Sequence, residues 1–296
     1  MSTLRELKSR IGSVSSTQKT TSAMKMISSA KMHKFTAQLQ RLLPYRNMVQ
    51  SVIGHLLATD VEYSSPLINV REVKKVALVA FGSDDGLCGA FNIYVGKFLL
   101  ETVRATQNKF GKDVAITIIP VGKKIAKALH SVKNPQFKVL DVPNVNTRSN
   151  SDQLHDFTDM LRTSFLDGTF DQVDLVYMHF KSTSRQIATC DQMLPVSYEA
   201  LAATPADKKA ANQPCIFEPD ANSIFNSVLP LYIRSMMQEV FTESCASEQA
   251  SRVMAMQTAS DNAKELLEEL NLEYNKLRQQ GITTELLDIL GGQVER

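Results

Sequence analysis

The sequence feature that most constrains the fold is a seam of mainly apolar or small residues near the end of the chain. These residues recur at alternating spacings of three and four: Val253, Met256, Ser260, Ala263, Leu267, Leu270, Tyr274 and Leu277. Such spacing is the a/d pattern of a helix that packs along a partner helix over several turns. After Gly281 the apolar residues change phase, to Ile282, Leu286, Ile289 and Leu290. The end of this helix is therefore predicted to meet a different surface from the rest of it.

A second long helix is predicted at the start of the chain. Thr3 and Glu6 fit a capping box, in which each side chain accepts a hydrogen bond from a backbone donor at the helix start. Helical composition then continues to about Ala58, with Pro44 as the one strong helix breaker. At about 1.5 Å per residue, this helix would be roughly 80 Å long.

Apolar residues do not mark one continuous stripe along the first helix. Leu4, Leu7, Ile11 and Val14 follow heptad spacing, whereas the next heptad positions hold Gln18, Thr21, Lys25 and Ser28. We interpret the apolar stripe as one that wanders around the helix. Two explanations stay open: a loosely patterned coiled coil with a solvated polar patch, or a segment, residues 21–32, that contacts a second protein with the face left free by its partner helix.

The two ends of the chain carry opposite charge. Residues 1–46 hold nine basic side chains and one acidic side chain, whereas residues 218–296 hold six basic and thirteen acidic ones. Oppositely charged helices suit each other as a pair, although exposed ion pairs contribute only about 0.2–1 kcal/mol each. We therefore expect the two helices to pair antiparallel, with apolar burial as the main stabilising contribution.

Between the helices the pattern changes to alternating strands and helices. Strands are predicted at residues 76–81, 114–120, 137–142, 173–180 and 186–195, and helices at 90–109, 123–132 and 151–165. Strand–helix alternation favours a largely parallel, Rossmann-like sheet, and the last two strands, with no helix between them, predict an antiparallel hairpin.

The fold class is therefore predicted as α/β with long helices: an antiparallel coiled coil of the two terminal helices plus an inserted Rossmann-like α/β domain. The expected organisation is an N-terminal helix over residues 1–60, the inserted domain over 70–200, a polar linker over 201–219 and a C-terminal helix over 220–292. Asp220 is the expected N-cap of that last helix.

A glycine-rich turn, residues 82–89, follows the first strand and precedes a helix, where α/β folds often bind phosphate. It matches neither the dinucleotide fingerprint nor the P-loop, and Asp84 and Asp85 would repel a phosphate. We expect the turn residues Asp84, Asp85, Gly86, Cys88 and Gly89 to shape a contact surface, with nucleotide binding as the alternative. Cys88 is predicted to be a buried thiol, because its neighbours are acidic and would not lower its pKa.

No other constellation indicates catalysis. The five histidines are scattered, and the four cysteines form no CxxC pair. We predict no catalytic residue, no metal site and no cofactor. No run of about 18 apolar residues occurs, so membrane contact is expected only through partners.

Three ordered segments resemble the gamma subunits of F-type ATP synthases. They are TSAMKMISSAKMHKF (residues 21–35), SDDGLCGAFN (83–92), and the pair SEQASRVMAMQTASDNA (247–263) and YNKLRQQGITTELLDILGG (274–292). The resemblance implies a non-catalytic rotor shaft that couples proton-driven rotation to ATP synthesis. Its implied partners are a hexamer of alpha and beta subunits, an epsilon-type subunit and the membrane c-ring, with no nucleic acid.

The resemblance also implies residue roles. Met24 and Lys25 match the segment that passes the acidic lever loop of beta, and the polar shaft–hexamer contacts match Arg252, Arg278, Gln279, Thr283 and Glu285. Ile282, Leu286, Ile289 and Leu290 would form the tip in an apolar bearing. The family usually has Arg where this chain has Asp85, so we expect a contact of altered sign there with beta or another stalk subunit.

The expected location is the cytoplasmic face of a bacterial inner membrane, with the mitochondrial matrix face as the alternative. Two other functions stay open from the residues alone: a nucleotide-binding α/β enzyme with helical arms, and a coiled-coil adaptor or nucleic-acid binder that uses the basic first helix.

Overall fold

The computed structural model describes residues 3–57, 63–132, 136–143, 145–197, 201 and 217–294. Its helices are α1 (Leu4–Leu57), α2 (Phe91–Phe110), α3 (Lys123–Ser131), α4 (Ser151–Leu166) and α5 (Ala221–Val294). Its strands are β1 (Lys75–Phe81), β2 (Ala115–Val121), β3 (Lys138–Val139), β4 (Gln172–Ser182) and β5 (Arg185–Leu194). Most of the predicted linker, residues 201–219, lies outside the described residues.

Both long helices begin where the sequence predicts. The backbone N–H of Thr3 donates to Glu6 Oε2 (2.9 Å) and that of Glu6 donates to Thr3 Oγ1 (3.3 Å), which is the predicted capping box. At α5, Asp220 Oδ1 accepts from the backbone N–H of Ser223 at 2.9 Å. Helix α1 runs through Pro44 without a break.

The seam of α5 is confirmed at every predicted position. Val253, Met256, Ala263 and Leu270 are buried, and the intervening seam residues are half-buried. Beyond Gly281 the side chains that the structure describes are exposed up to Leu290. The change of phase in the sequence therefore coincides with the point where burial ends.

The prediction of a wandering stripe on α1 is wrong. Every position of one heptad phase is buried or half-buried: Leu7, Ile11, Val14, Gln18, Thr21, Lys25 and Ser28. Polar side chains can occupy such a seam when their hydrogen bonds are met locally, as where Thr21 Oγ1 donates to the Gln18 carbonyl at 3.0 Å. Met26 and Ile27, which lie off the seam, are exposed. The chemistry of the seam changes along α1, and its phase does not.

The sheet has the order β3-β2-β1-β4-β5. Strands β3, β2, β1 and β4 are parallel, and β5 pairs antiparallel with β4, which confirms the Rossmann-like prediction and the hairpin. Strand β3 has two residues where six were predicted, and just beyond it the Leu140 N–H donates to the Ile118 carbonyl.

Helices cover both faces of the sheet. One core contains α2 and α3 with Val76, Leu78 and Ala80 of β1. The alternate residues of the same strand, Ala77 and Val79, join the second core, to which the end of α1, helix α4 and the first turns of α5 contribute. Alternation of side chains across a strand explains how one strand serves two cores.

Two compact units result, one made of residues 1–29 and 252–296 and the other of residues 30–251. The terminal segments of α1 and α5 form the first unit, and the sheet with its helices forms the second. Within the second unit α1 and α5 are antiparallel: Arg46 meets Glu239, whereas Ser64, beyond the end of α1, meets Asn222 at the start of α5. No helix within the described ranges is long and apolar enough to cross a membrane.

Candidate interaction sites

The glycine-rich turn lies against the start of α3 at the carboxyl end of β1. A Cβ on Gly82 would come within 2.5 Å of Ile125 Cγ2, and one on Gly122 within 2.9 Å of the Gly82 carbonyl carbon. Gly122 also has φ +123°, which disfavours other residues. The two glycines therefore allow a backbone approach that side chains would block.

Asp84 links the turn to the start of α3 and to the loop after β3. Its Oδ1 accepts from the backbone N–H of Lys123, the first residue of α3, at 3.0 Å. Its Oδ2 accepts from the backbone N–H (3.0 Å) and the hydroxyl (2.7 Å) of Thr147. A carboxylate from the turn therefore already uses a backbone donor at the N-terminus of α3.

Asp85 has a cationic neighbour within its own chain. Arg148 Nη2 lies 2.7 Å from Asp85 Oδ2, and both side chains are largely exposed. A cleft of about 210 Å³ adjoins this pair. Its lining comes from α1, the turn after β1, the loop after β3 and α5: Lys31, Lys34, Phe35, Asp85, Thr147, Arg148, Cys245, Glu248 and Gln249. The cleft is smaller than the ~300–1,000 Å³ usual for small-molecule pockets.

Cys88 is buried, as predicted. Its Sγ lies 3.6 Å from Ser83 Oγ and 3.5 Å from Asn92 Nδ2, so it packs into the hydrogen-bonded turn. Leu87 beside it is exposed and adopts φ 61°, and Gly89 has φ 58°. Position 86 has room for a side chain larger than that of glycine, since an added Cβ would meet only Lys124 Cε, at 3.8 Å.

A larger groove, of about 1010 Å³, lies at the opposite edge of the sheet, around the beginnings of β1 and β2. Its lining is apolar with a basic rim that includes Lys75, Lys112 and Lys138. Among the described lining residues, the ionisable side chains are lysines alone. Across the described ranges, no group of three metal-ligating side chains comes together.

The predicted partner contacts on α1 and α5 differ in exposure. Arg278, Gln279, Thr283 and Glu285 are exposed, whereas Met24 and Lys25 are half-buried. Arg252 is only 6% exposed, which leaves little of it accessible to another chain. The sequence analysis named residues 21–32 as a possible contact segment, and the structure shows that Met26 and Ile27 are the outward apolar residues within it.

The four tip residues form an apolar surface that the chain itself does not cover. Ile282, Leu286, Ile289 and Leu290 are each at least half exposed, and the neighbouring Leu287 is 62% exposed. A helix end with this many exposed aliphatic side chains is typical of an interaction surface. Leu287 escaped the sequence analysis, although it follows Leu286 directly.

Comparison with known proteins identifies close relatives over the full length. A family model described as ATP synthase matches residues 3–294. The chain is 39% identical over 304 residues to the ATP synthase gamma chain of Bacteroides thetaiotaomicron, covering all of both chains. It is 34% identical over 296 residues to that of Polynucleobacter asymbioticus, covering 99% of each.

Solved structures agree in fold. The central stalk and c-ring structure of Tetrahymena thermophila mitochondrial ATP synthase contains a chain with TM-score 0.55 and 26% identity, over 81% of this chain and 99% of that one. A chain in the Euglena gracilis mitochondrial ATP synthase assembly in rotational state 3 has TM-score 0.65 and 18% identity, over 98% of this chain and 93% of that one. The second likeness is one of fold alone.

Proposed function

The chain belongs to the ATP synthase gamma-chain family, and from this premise we propose that it is the rotor shaft of the central stalk of a proton-translocating ATP synthase. It is a non-catalytic subunit, which couples rotation to nucleotide-affinity changes in the catalytic beta subunits. Its partners are the alpha and beta subunits, an epsilon-type subunit and the c-ring. It is a peripheral part of a membrane-bound complex, and we place it on the cytoplasmic face of a bacterial inner membrane.

The exposed apolar tip is the observation that supports this proposal most directly. Helix α5 buries its seam as far as Leu277 and then continues with aliphatic side chains that have no cover from the chain itself. A ring formed by other subunits would supply that cover. Non-directional apolar contacts also suit rotation, whereas a buried ion pair would favour one angle.

Coupling would follow from the asymmetry of the shaft surface. Each orientation presents different side chains to the three beta subunits and favours a different open or closed state of each. The coupling is reciprocal, since nucleotide occupancy must bias the orientation by the same free energy. A shaft that bound every state equally would shift none of them.

We assign the individual contacts as follows. The segment with Met24 and Lys25 faces the acidic lever loop of beta, and the exposed Met26 and Ile27 extend that contact. Polar contacts with the hexamer come from Arg278, Gln279, Thr283 and Glu285, and Arg252 contributes with the small part that is accessible. Ile282, Leu286, Ile289 and Leu290 occupy the bearing.

The turn and the domain boundaries complete the assignment. The turn of Asp84, Asp85, Gly86, Cys88 and Gly89 shapes a contact surface, where Asp85 gives a contact of altered sign with beta or another stalk subunit. Arg148 pairs with Asp85 within the chain, so a partner at this position would meet both charges. For the domain boundaries we propose 1–60 for the segment of the N-terminal helix, 70–200 for the α/β domain, 201–219 for the linker and 220–292 for the segment of the C-terminal helix; the described helices themselves are Leu4–Leu57 and Ala221–Val294.

Reconstitution with alpha and beta subunits tests the function. The purified chain should show no ATPase activity alone and should restore rotation-coupled hydrolysis to an alpha/beta mixture, at one copy per three alpha and three beta subunits. Failure to assemble would refute the proposal. For the turn, Asp85→Arg is compared with the parent chain, and equal coupling and assembly would argue against a contact there.

A further inference from the structure

The larger of the grooves described above lies where strands β1, β2 and β3 begin, and we call it the sheet-end groove. Its volume is about 1010 Å³. Its surface includes Ala115, Thr117, Leu140 and Phe170, and lysines stand at its rim. Pockets that bind small organic molecules usually have volumes of about 300–1,000 Å³. The groove therefore has the size of a small-molecule site.

The register of the sheet places two of the rim lysines on one face. Lys75 lies opposite Ala115, and Lys138 lies opposite Thr117. Opposed residues of paired strands share a face, and Ala115 and Thr117 share one because side chains alternate along a strand. Lys75 and Lys138 therefore flank two small side chains of β2. They are two strand spacings, about 10 Å, apart across the sheet.

The helical cover of this face ends before the strands begin. Along β2 the side chain of Ile119 is fully buried in the core that α4 and α5 share, that of Thr117 is half-buried and that of Ala115 is exposed. Because alanine and threonine are small, they leave the floor of the groove open. Phe170 and Leu140, the latter 44% exposed, add apolar surface to it. A ligand with an apolar body would remove this surface from water.

The charge at the rim favours an anion. Lys75, Lys112 and Lys138 are exposed, and none of them forms an ion pair with an acidic side chain of the described residues. Lys75 Nζ donates to the Gly168 carbonyl at 3.3 Å, and its ammonium group has further hydrogens to donate. The rim can therefore neutralise a carboxylate.

The acidic side chain of Asp171, which follows Phe170 in the chain, already has hydrogen-bond partners. Its Oδ2 accepts from the backbone N–H groups of Lys74 at 3.0 Å and Lys75 at 2.9 Å. These bonds hold the loop after α4 to the start of β1. They involve the backbone of the lysines and leave the ammonium groups at the rim to another anion.

We propose that the sheet-end groove binds a single-chain organic anion of the fatty-acid type. The alkyl chain lies over Ala115, Thr117 and Phe170, and the carboxylate binds the ammonium groups of Lys75 and Lys138. A hollow of this volume accommodates one alkyl chain with its headgroup, whereas a stable protein interface needs about 1,200–2,000 Å² of buried surface. The proposal does not depend on the rotor function.

Calorimetric titration of the full-length chain with dodecanoate, below its micelle concentration, tests the site. Dodecyltrimethylammonium has the same alkyl chain with a positive headgroup and is the matched ligand. Dodecanoate should bind saturably at one site, and the cation should bind about tenfold more weakly or not at all. Decanoate should bind about tenfold more weakly than dodecanoate, because it buries fewer methylene groups. Equal affinity for the two dodecyl ligands would overturn the proposal.

Variants locate the binding site. Lys138→Glu should weaken dodecanoate binding by about fivefold, because it places a like charge at the rim. Ala115→Phe should weaken it further, because the ring occupies the floor of the groove. The control is Lys97→Glu, which reverses an exposed charge on α2 outside the described lining and should leave the affinity unchanged. Equal affinities in the parent and all three variants would refute the site.

A measurement on the parent chain needs no variant to fold. Saturating dodecanoate should raise hydrogen-exchange protection at residues 114–118 and leave the turn of residues 82–89 unchanged. Unchanged protection at the start of β2 would overturn the proposal. Absence of dodecanoate binding, together with loss of epsilon-subunit binding in Lys138→Glu, would assign the groove to an acidic protein segment instead. Failure of the titrations would leave the rotor proposal intact, because they use the chain alone.

Discussion

Asp84 and Thr147 lie 63 positions apart, yet one carboxylate oxygen of Asp84 accepts both the backbone N–H and the hydroxyl of Thr147. The other oxygen caps the start of α3 at Lys123. One side chain thus joins the turn, a helix and a distant loop.

Asp84→Ala should lower the free energy of unfolding by about 2 kcal/mol, because it leaves helix and loop donors without a partner. Denaturant unfolding of the full chain measures this. Asp85→Ala is the control, since its ion pair with Arg148 is exposed and should contribute far less. Equal losses in the two variants would contradict the role of Asp84.

Removal of the Arg46 side chain should destabilise the packing of α1 against α5. Arg46→Met leaves Glu239 nearly buried without its cation, at a cost of about 2 kcal/mol, less than for a fully buried pair because a third of the arginine is exposed. Glu239→Gln should cost less, since the guanidinium left behind is a third exposed and the glutamine oxygen can still accept a hydrogen bond from it. Glu72→Gln, which breaks an exposed pair with Lys74, should leave the unfolding midpoint unchanged.

Two leucines of α5 should respond differently to truncation. Leu270→Ala should lower the free energy of unfolding by about 2–3 kcal/mol, because Leu270 is buried in the seam. Leu286→Ala should change stability by less than about 0.5 kcal/mol, because the side chain is exposed. In co-sedimentation with alpha and beta subunits the order should reverse, with Leu286→Ala the more damaging change. A large stability loss at Leu286 would mean that the tip packs within the chain.

Alanine at two glycines should have opposite effects. Gly82→Ala places a methyl group 2.5 Å from Ile125 and should destabilise the fold by about 1–3 kcal/mol. Gly281→Ala meets nothing within 4 Å in the interior of α5 and should stabilise it by about 0.5–1 kcal/mol. Helicity and Tm by circular dichroism measure both, and a stabilised Gly82→Ala chain would refute the close approach of the turn to α3.

Asp174 should make stability fall as pH rises from about 4 to 6. Burial raises its pKa from 3.8 to about 6, against a hydrogen bond from Gln172 and the charge of Lys109. The folded state therefore binds this proton more tightly than the unfolded state. The contribution of Asp174 to the free energy of unfolding is complete below pH 3.8 and is lost as pH rises to about 6, by up to about 3 kcal/mol in total. Asp174→Asn should flatten this slope in urea titrations at several pH values, whereas Asp156→Asn, on the exposed face of α4, should not.

Periodicity was enough to predict the helices, the α5 seam and a largely parallel sheet with a terminal hairpin, because these depend on local spacing. It was not enough for α1, where Gln18, Thr21 and Lys25 occupy seam positions that apolar counting assigns to solvent. Nor could it find the partners of Asp84, because contacts across 63 positions depend on the finished fold. The turn was recognised from its glycines, and the way Asp84 occupies it came only with the structure.

The unbroken heptad phase of α1 has a mechanical consequence. Where the seam passes from Leu7 and Ile11 to Gln18, Thr21 and Ser28, side-chain burial continues with far less apolar surface. Cohesion between helices scales with that surface, so the stretch from Gln18 to Ser28 should twist under a smaller load than the turns before it. Within its own unit, this helix combines a stiff end with a torsionally compliant segment.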